Sequence, residues 1–293
     1  MTEESIIVKT GVAVKVKDFM MLMKLRLSLL VVISAITGYF FGGGAFDERL
    51  VYLICGGFLV TGASNAMNQI WERNLDKLMK RTEDRPLAAN RMGVPEALIF
   101  SVLIGVAGAL LLFKLNNLAG ILGVSALISY VFIYTPMKQI SPWAVFVVAF
   151  PGAIPPLLGI VAVTGDFNLA VGIIFLFQFM WQFPHFWAIA WVSHDDYQRA
   201  GFYLLPSRSG KSKHTAFLIV LYTLMTVIAG LLPWYFEFTG VISLVVGSIA
   251  GLWFYWKSFK LYNTLSDKAA RSLMFASFIY LPIMQFLYVF DKI

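Results

Sequence analysis

Three oxygen-bearing side chains, Asn68, Glu72 and Asp76, recur at i, i+4 and i+8. At 100° per residue a helix keeps such a set within a stripe of about 80°. Two carboxylates and an amide on one face form an oxygen-only donor set, which suits Mg2+ sharing its shell with waters and substrate phosphate oxygens. Lys80, Arg81 and Arg85 follow within nine residues of Asp76 and can hold a polyanion once the metal has bridged it. The same residues also read as an ordinary helix end with ion pairs, Glu72 with Arg73 or Lys77 and Asp76 with Lys80. Spacing alone leaves both readings open. A second polar stripe, Gln178, Gln182 and His185, recurs at i, i+4 and i+7 inside an apolar run. At that depth of a membrane helix, polar groups face a cavity or a neighbouring helix.

The elements that must carry these residues are set by composition. Of 293 residues 59% are apolar and 13% charged, against about 25% charged in a soluble domain, which excludes a soluble fold. Apolar runs fall at roughly 25–41, 51–67, 95–113, 118–134, 143–163, 168–190, 214–234, 241–256 and 270–290, each close to the length that spans a bilayer as a helix. The expectation is an all-α polytopic membrane protein of about nine transmembrane helices, a single integral-membrane domain over 1–293 with a polar cytoplasmic segment at 1–20. With the N-terminus inside, 20 of the 23 lysines and arginines lie on the inner face and only Arg49, Lys114 and Lys292 on the outer. That asymmetry predicts a cytoplasmic N-terminus, and it reads the net charge of +7 as topology rather than nucleic-acid binding. The first 20 residues mix Glu3, Glu4 and Asp18 with lysines and no arginine, unlike a transit or cleaved signal peptide. Cys55 is the only cysteine, so no intrachain disulfide or CxxC site exists.

The outer connections are short and nearly uncharged, whereas 68–94 and 191–213 are dense in acids, bases and amides. Chemistry is therefore expected at the inner face. Pro151, Gly152, Pro155, Pro156 and Gly159 predict a broken fifth helix lining a cavity. Gly42, Gly43 and Gly44 lack the lysine and spacing of a phosphate loop.

The string Asn68-x-x-x-Glu72-Arg73-x-x-Asp76-x-x-Met79-x-Arg81-Thr82-x-x-Arg85-Pro86 resembles the first aspartate-rich motif of the UbiA superfamily of intramembrane prenyltransferases. Within it, the protohaem IX farnesyltransferase branch is the most similar. Tyr130-x-x-x-Tyr134-Thr135-Pro136-x-Lys138, the Pro151 to Gly159 segment, Trp181-Gln182-x-Pro184-His185-Phe186-Trp187 and Asp196-Tyr197-x-x-Ala200-Gly201 agree with that branch. The resemblance spans about 24–290. It implies a helical fold around a central cavity, in the bacterial cytoplasmic (inner) membrane with the active site facing the cytoplasm. It further implies Mg2+ as cofactor, farnesyl diphosphate and haem b as substrates, haem O as product, and a haem A synthase or oxidase-assembly factor as partner.

By that resemblance Asn68, Glu72, Asp76, Asp196 and Tyr197 are catalytic, and Asn68, Glu72, Asp76, Asp195 and Asp196 form the metal set. Lys80, Arg81, Arg85 and Lys138 bind diphosphate. Gln182, His185 and His194 contact haem. Many superfamily members carry two aspartates four residues apart in a second motif; here position 200 is alanine, which leaves a second Mg2+ open. His185 reads equally as an interhelical hydrogen bond, and Lys138 as a topology anchor. Two other functions fit the same residues: the same fold acting on an aromatic quinone precursor, and a cation-coupled transporter, for which charges in the middles of several broken helices are expected.

Overall fold

The computed structural model describes residues 11–293. Glu3, Glu4 and Lys9 of the polar N-terminal segment lie outside them. The helices are α1 Val12–Leu22, α2 Leu25–Phe41, α3 Glu48–Asp76, α4 Val94–Leu115, α5 Asn117–Ile128, α6 Thr135–Met137, α7 Ala144–Thr164, α8 Leu169–Val192, α9 His194–Arg199, α10 Lys213–Tyr235, α11 Val241–Thr264 and α12 Asp267–Phe290. A π-helical turn, Ser129–Tyr134, joins α5 to α6. Eight spans are long and apolar enough to cross a membrane, α5 through α6 counting as one; α1 and α2, bent by 46° at their break, make a ninth. Among the described residues there is no strand, only an isolated bridge between Thr239 and Lys292. The membrane explains this, because every backbone group there must be satisfied within its own segment.

Residues 12–22 form α1, where Asp18 is buried against Arg91 (3.1 Å), whose guanidinium also holds Asp84. Helix starts are marked by side chains that accept first-turn N–H groups: Asp47, Asn116, Asn168, Ser212 and Ser266. Asp47 also receives the Tyr39 hydroxyl at 2.6 Å, tying the end of α2 to the start of α3. That hydroxyl and Arg49 hold the Asp47 carboxyl down at about 2.

The expected break in the fifth span does not occur: α7 runs unbroken through Pro151, Pro155 and Pro156. A proline frees the carbonyl four residues before it, so Pro156 releases Gly152 O, and the Gln178 amide of α8 donates to that oxygen at 3.4 Å. A neighbouring helix thus replaces the lost bond.

The spans pack in chain order around a ring, α2, α3, α4, α5, α7, α8, α10, α11 and α12, with α12 closing against α2. Contacts of α2 with α7 and of α8 with α12 cross the ring. Between α2 and α7 the backbones nearly touch: a Cβ on Gly38 would enter the Pro156 carbonyl, and one on Gly159 the Ala35 carbonyl. Without a hydrophobic force between helices in lipid, such small-residue crossings supply the packing. Replacing Gly159 by valine should therefore separate α2 from α7, seen as a lower melting temperature and poorer recovery of the detergent-purified protein; substituting the unobstructed Gly172 should leave both unchanged.

Candidate active site

Helix α3 continues past its apolar portion to Asp76, so the oxygen stripe forms on one helix. Asn68, Glu72 and Asp76 are 1%, 3% and 1% exposed and line one end of a cavity of about 440 Å3. Each carboxylate has a cation from another element. Lys138 Nζ donates to Glu72 Oε1 at 2.6 Å, and Arg85 reaches both Asp76 oxygens at 2.8 Å. Lys138 also lies 4.6 Å from the centre of the Tyr134 ring and 5.6 Å from that of Phe202. The alternative of local pairs along α3 is not what forms: neither carboxylate pairs with Arg73, Lys77 or Lys80.

Lys24 is a site residue that sequence patterning assigned only to topology. It occupies the break between α1 and α2 with φ 50° and ψ 59°, a left-handed conformation uncommon for a residue with a side chain. Its Nζ reaches Asn68 Oδ1 at 3.5 Å and lines the cavity. The only sequence signal was a lysine at the foot of the first apolar run.

The π turn positions Tyr130 and Tyr134 on the cavity wall and Thr135 behind Asn68. Thr135 Oγ1 donates to Tyr130 O at 2.9 Å, so its lone pair accepts from Asn68 Nδ2 at 3.2 Å. That bond turns the amide so that Oδ1, the metal-competent atom, faces Lys24 and the cavity.

Three segments that connect helices close on this end. Tyr203 N donates to Lys138 O at 2.8 Å, Gln139 Nε2 to Ala200 O at 3.3 Å, and Arg199 Nε to Leu78 O at 3.1 Å. Arg81 reaches the Tyr197 hydroxyl at 3.3 Å, and both line the cavity.

Not every expected site residue joins them. Lys80 is exposed and points away, because the turn that buries Met79 inward directs its neighbour out. On the short helix α9 Tyr197 takes the cavity side; Asp195 is exposed and Asp196 is engaged by Arg199. Among the described residues no three His, Cys, Asp or Glu side chains cluster, so the five-residue metal set is not assembled at one point. His194 lines a separate pocket with Ser207, Arg208 and Lys211. Burial, with Lys211 nearby, pushes its pKa below 6.5.

Away from the charged mouth the cavity is lined mainly by apolar side chains, interrupted by the polar α8 stripe. Gln178 accepts from Gln285, which in turn bonds Ser34, while Gln182 and His185 face the cavity beside Trp181, Phe186 and Phe278. Leu27, Leu30 and Ile33 of α2 and Phe278 of α12 both line the cavity and are exposed. The cavity therefore opens sideways, toward lipid, at the seam that closes the ring.

A charged mouth on an apolar, laterally open chamber is the arrangement expected for an amphiphile with an anionic head. The model of the UbiA prenyltransferase family matches residues 31–280. The chain belongs to this family. It is 46% identical over 275 residues to a protoheme IX farnesyltransferase of Cytophaga hutchinsonii, covering 93% of this chain and 96% of that one. The solved structure of a digeranylgeranylglyceryl phosphate synthase superposes with a TM-score of 0.79 at 20% identity, over 94% of this chain and 98% of the other. A UbiA homologue from Archaeoglobus fulgidus bound to GPP and Mg2+ superposes at 0.64 and 14% identity, over 93% and 99%. Family and fold together make the chain an integral-membrane prenyltransferase.

Two outcomes test this geometry. Thr135→Val removes the acceptor that orients Asn68, so prenyl-transfer activity should fall on the order of tenfold, with the protein's melting temperature little changed. For His194 the folded pKa lies below the unfolded one, so the unfolded state binds more protons and stability is lost as pH falls through 6.5. Limited proteolysis of the 194–211 segment should accelerate between pH 7 and 5, and His194→Gln should flatten that dependence.

Proposed function

We propose that this chain transfers the farnesyl group of farnesyl diphosphate to a vinyl group of haem b, giving haem O. The observation that carries the reading is the charge pattern of the cavity: Lys24, Arg81, Arg85 and Lys138 against Glu72 and Asp76 at one end, and apolar walls beyond. An excess of cations suits a diphosphate, and the apolar length suits its isoprenoid tail. The acceptor comes from the relatives, such as that of Cytophaga hutchinsonii.

The donor set fits Mg2+. Asn68, Glu72 and Asp76 present only oxygens to the cavity, and they would hold the ion together with diphosphate oxygens. Mg2+, when bound, neutralises charge on the departing diphosphate as a Lewis acid. Arg85 and Lys138, now resting on the two carboxylates, then turn to the diphosphate, and Lys24 and Arg81 flank it. Tyr130, Tyr134 and Phe202 offer ring faces to the allylic farnesyl cation, which stabilise it without acting as bases. The apolar walls keep water from it until the haem vinyl carbon attacks C1 of the farnesyl group. Water then adds to the cation left beside the porphyrin, and its proton leaves to solvent or diphosphate.

The mouth lies at the end of the bundle that holds nearly all the basic residues, with Arg49, Lys114 and Lys292 at the other. This supports an active site facing the cytoplasm of a bacterial inner membrane. The α7 span stays helical and the cavity's charges gather at one end, which favours a transferase over a cation-coupled transporter.

Inside-out vesicles carrying the protein, given protohaem, farnesyl diphosphate and Mg2+, should yield a haem heavier by a farnesyl group plus water in the mass spectrum. Asp76→Ala should reduce that product on the order of hundredfold while the protein still inserts. Prenylation of an aromatic acid with no haem product would instead select the quinone-precursor reading.

A further inference from the structure

His185 is held more tightly than packing requires. Its ring stacks on Trp181 with centroids 4.3 Å apart and planes 18° apart, and meets the edge of Phe278 at 4.8 Å. Trp181 Nε1 donates to Ser277 O at 3.0 Å, and His185 Nδ1 lies 2.8 Å from Ser277 Oγ. One serine of α12 thus receives both rings of α8. Ser277 Oγ has a single proton, which it donates to Met274 O at 2.6 Å. It can therefore only accept from the imidazole, and His185 must carry its proton on Nδ1. Nε2 is left with a bare lone pair. Among the described residues that atom has no hydrogen-bond partner, and His185 lines the cavity.

A neutral imidazole whose Nδ1–H is fixed by a hydrogen bond and whose Nε2 faces open space is the arrangement of a histidine prepared to bind a metal. We propose that His185 Nε2 is the axial ligand of the haem iron and that Ser277 is the positioning residue that fixes its tautomer and direction. The assignment rests on haem as the acceptor. Its consequence is selectivity: iron–imidazole bonding pins the macrocycle at a set depth beside α8, and a metal-free porphyrin of the same outline lacks that anchor. The surrounding rings, Trp181, Phe186 and Phe278, supply apolar faces for the flat substrate. The ligand bond forms and breaks without redox change, because the lone pair is donated to iron on binding and returned when the product leaves.

The test uses the full chain in detergent with ferric haem b and no prenyl donor. Wild type should give the absorption and electron paramagnetic resonance signature of imidazole-bound haem, and should bind haem more tightly than protoporphyrin IX. In His185→Ala that signature should vanish, return on adding free imidazole, and the preference for haem over protoporphyrin IX should disappear. Ser277→Ala should keep the imidazole signature but weaken haem binding on the order of tenfold. His185→Met, which substitutes another iron ligand, should give a thioether-type spectrum, so the question stays decidable if the alanine variant fails to fold. An unchanged spectrum in folded His185→Ala or in His185→Met overturns the assignment while leaving haem as the acceptor. Failure of wild type to bind or prenylate haem at all overturns the proposed function instead.

Discussion

Two carboxylates buried at one end of a membrane bundle are the constraint on which that whole end depends. Glu72 and Asp76 lie almost wholly out of solvent, where an unpaired charge costs several kcal/mol. Their partners arrive from separate places, Lys138 from the segment after α6 and Arg85 from the turn beyond α3. Satisfying the charges therefore requires the loops to fold back over the mouth. Lys138 O then receives Tyr203 N, and Arg199 bonds Leu78 O, so the third connecting segment is drawn into the same cover. The pairs are also replaceable: an anion with a divalent cation could take over both sets of partners, which is why a stabilising network can double as a binding site.

The rest of the chamber follows from the membrane. Helices in lipid gain little from burying apolar surface, so they approach through small residues and close contacts. Gly38 and Gly159 let α2 and α7 touch, while the α2–α12 seam carries large cavity-lining side chains that remain exposed. Tight packing across one line and an opening along another give an amphiphile a route in from the bilayer.

Irregular backbone is concentrated where side chains must reach the mouth. Lys24 occupies a left-handed position at a 46° bend; the π turn at Ser129–Tyr134 brings two tyrosines and Thr135 to the wall. The left-handed position costs on the order of 1–3 kcal/mol and persists because neighbouring helices hold it. The prolines of α7 are the converse case. They remove backbone bonds, yet the helix runs on, with Gln178 serving the carbonyl that Pro156 frees.

Much was legible in the residues alone. Apolar run lengths, the inner bias of basic residues and the i, i+4, i+8 stripe determine a polytopic helical protein with its chemistry at one end, because hydropathy and helical periodicity are local properties of the chain. The motif string of 68–86 carried the family. What the sequence could not decide is which long-range partner each polar group takes. Lys138 reads from the chain as an anchor or a diphosphate contact, and the fold pairs it with Glu72; Lys80 is exposed, whereas Lys24 lines the cavity. Asp195 and Asp196 lie off the cavity while Tyr197 lines it, and the break expected from Pro151, Pro155 and Pro156 does not form, the carbonyl that Pro156 frees being served from another helix. Each of these depends on distances between residues tens of positions apart, so only tertiary packing, which sets those distances, could decide them.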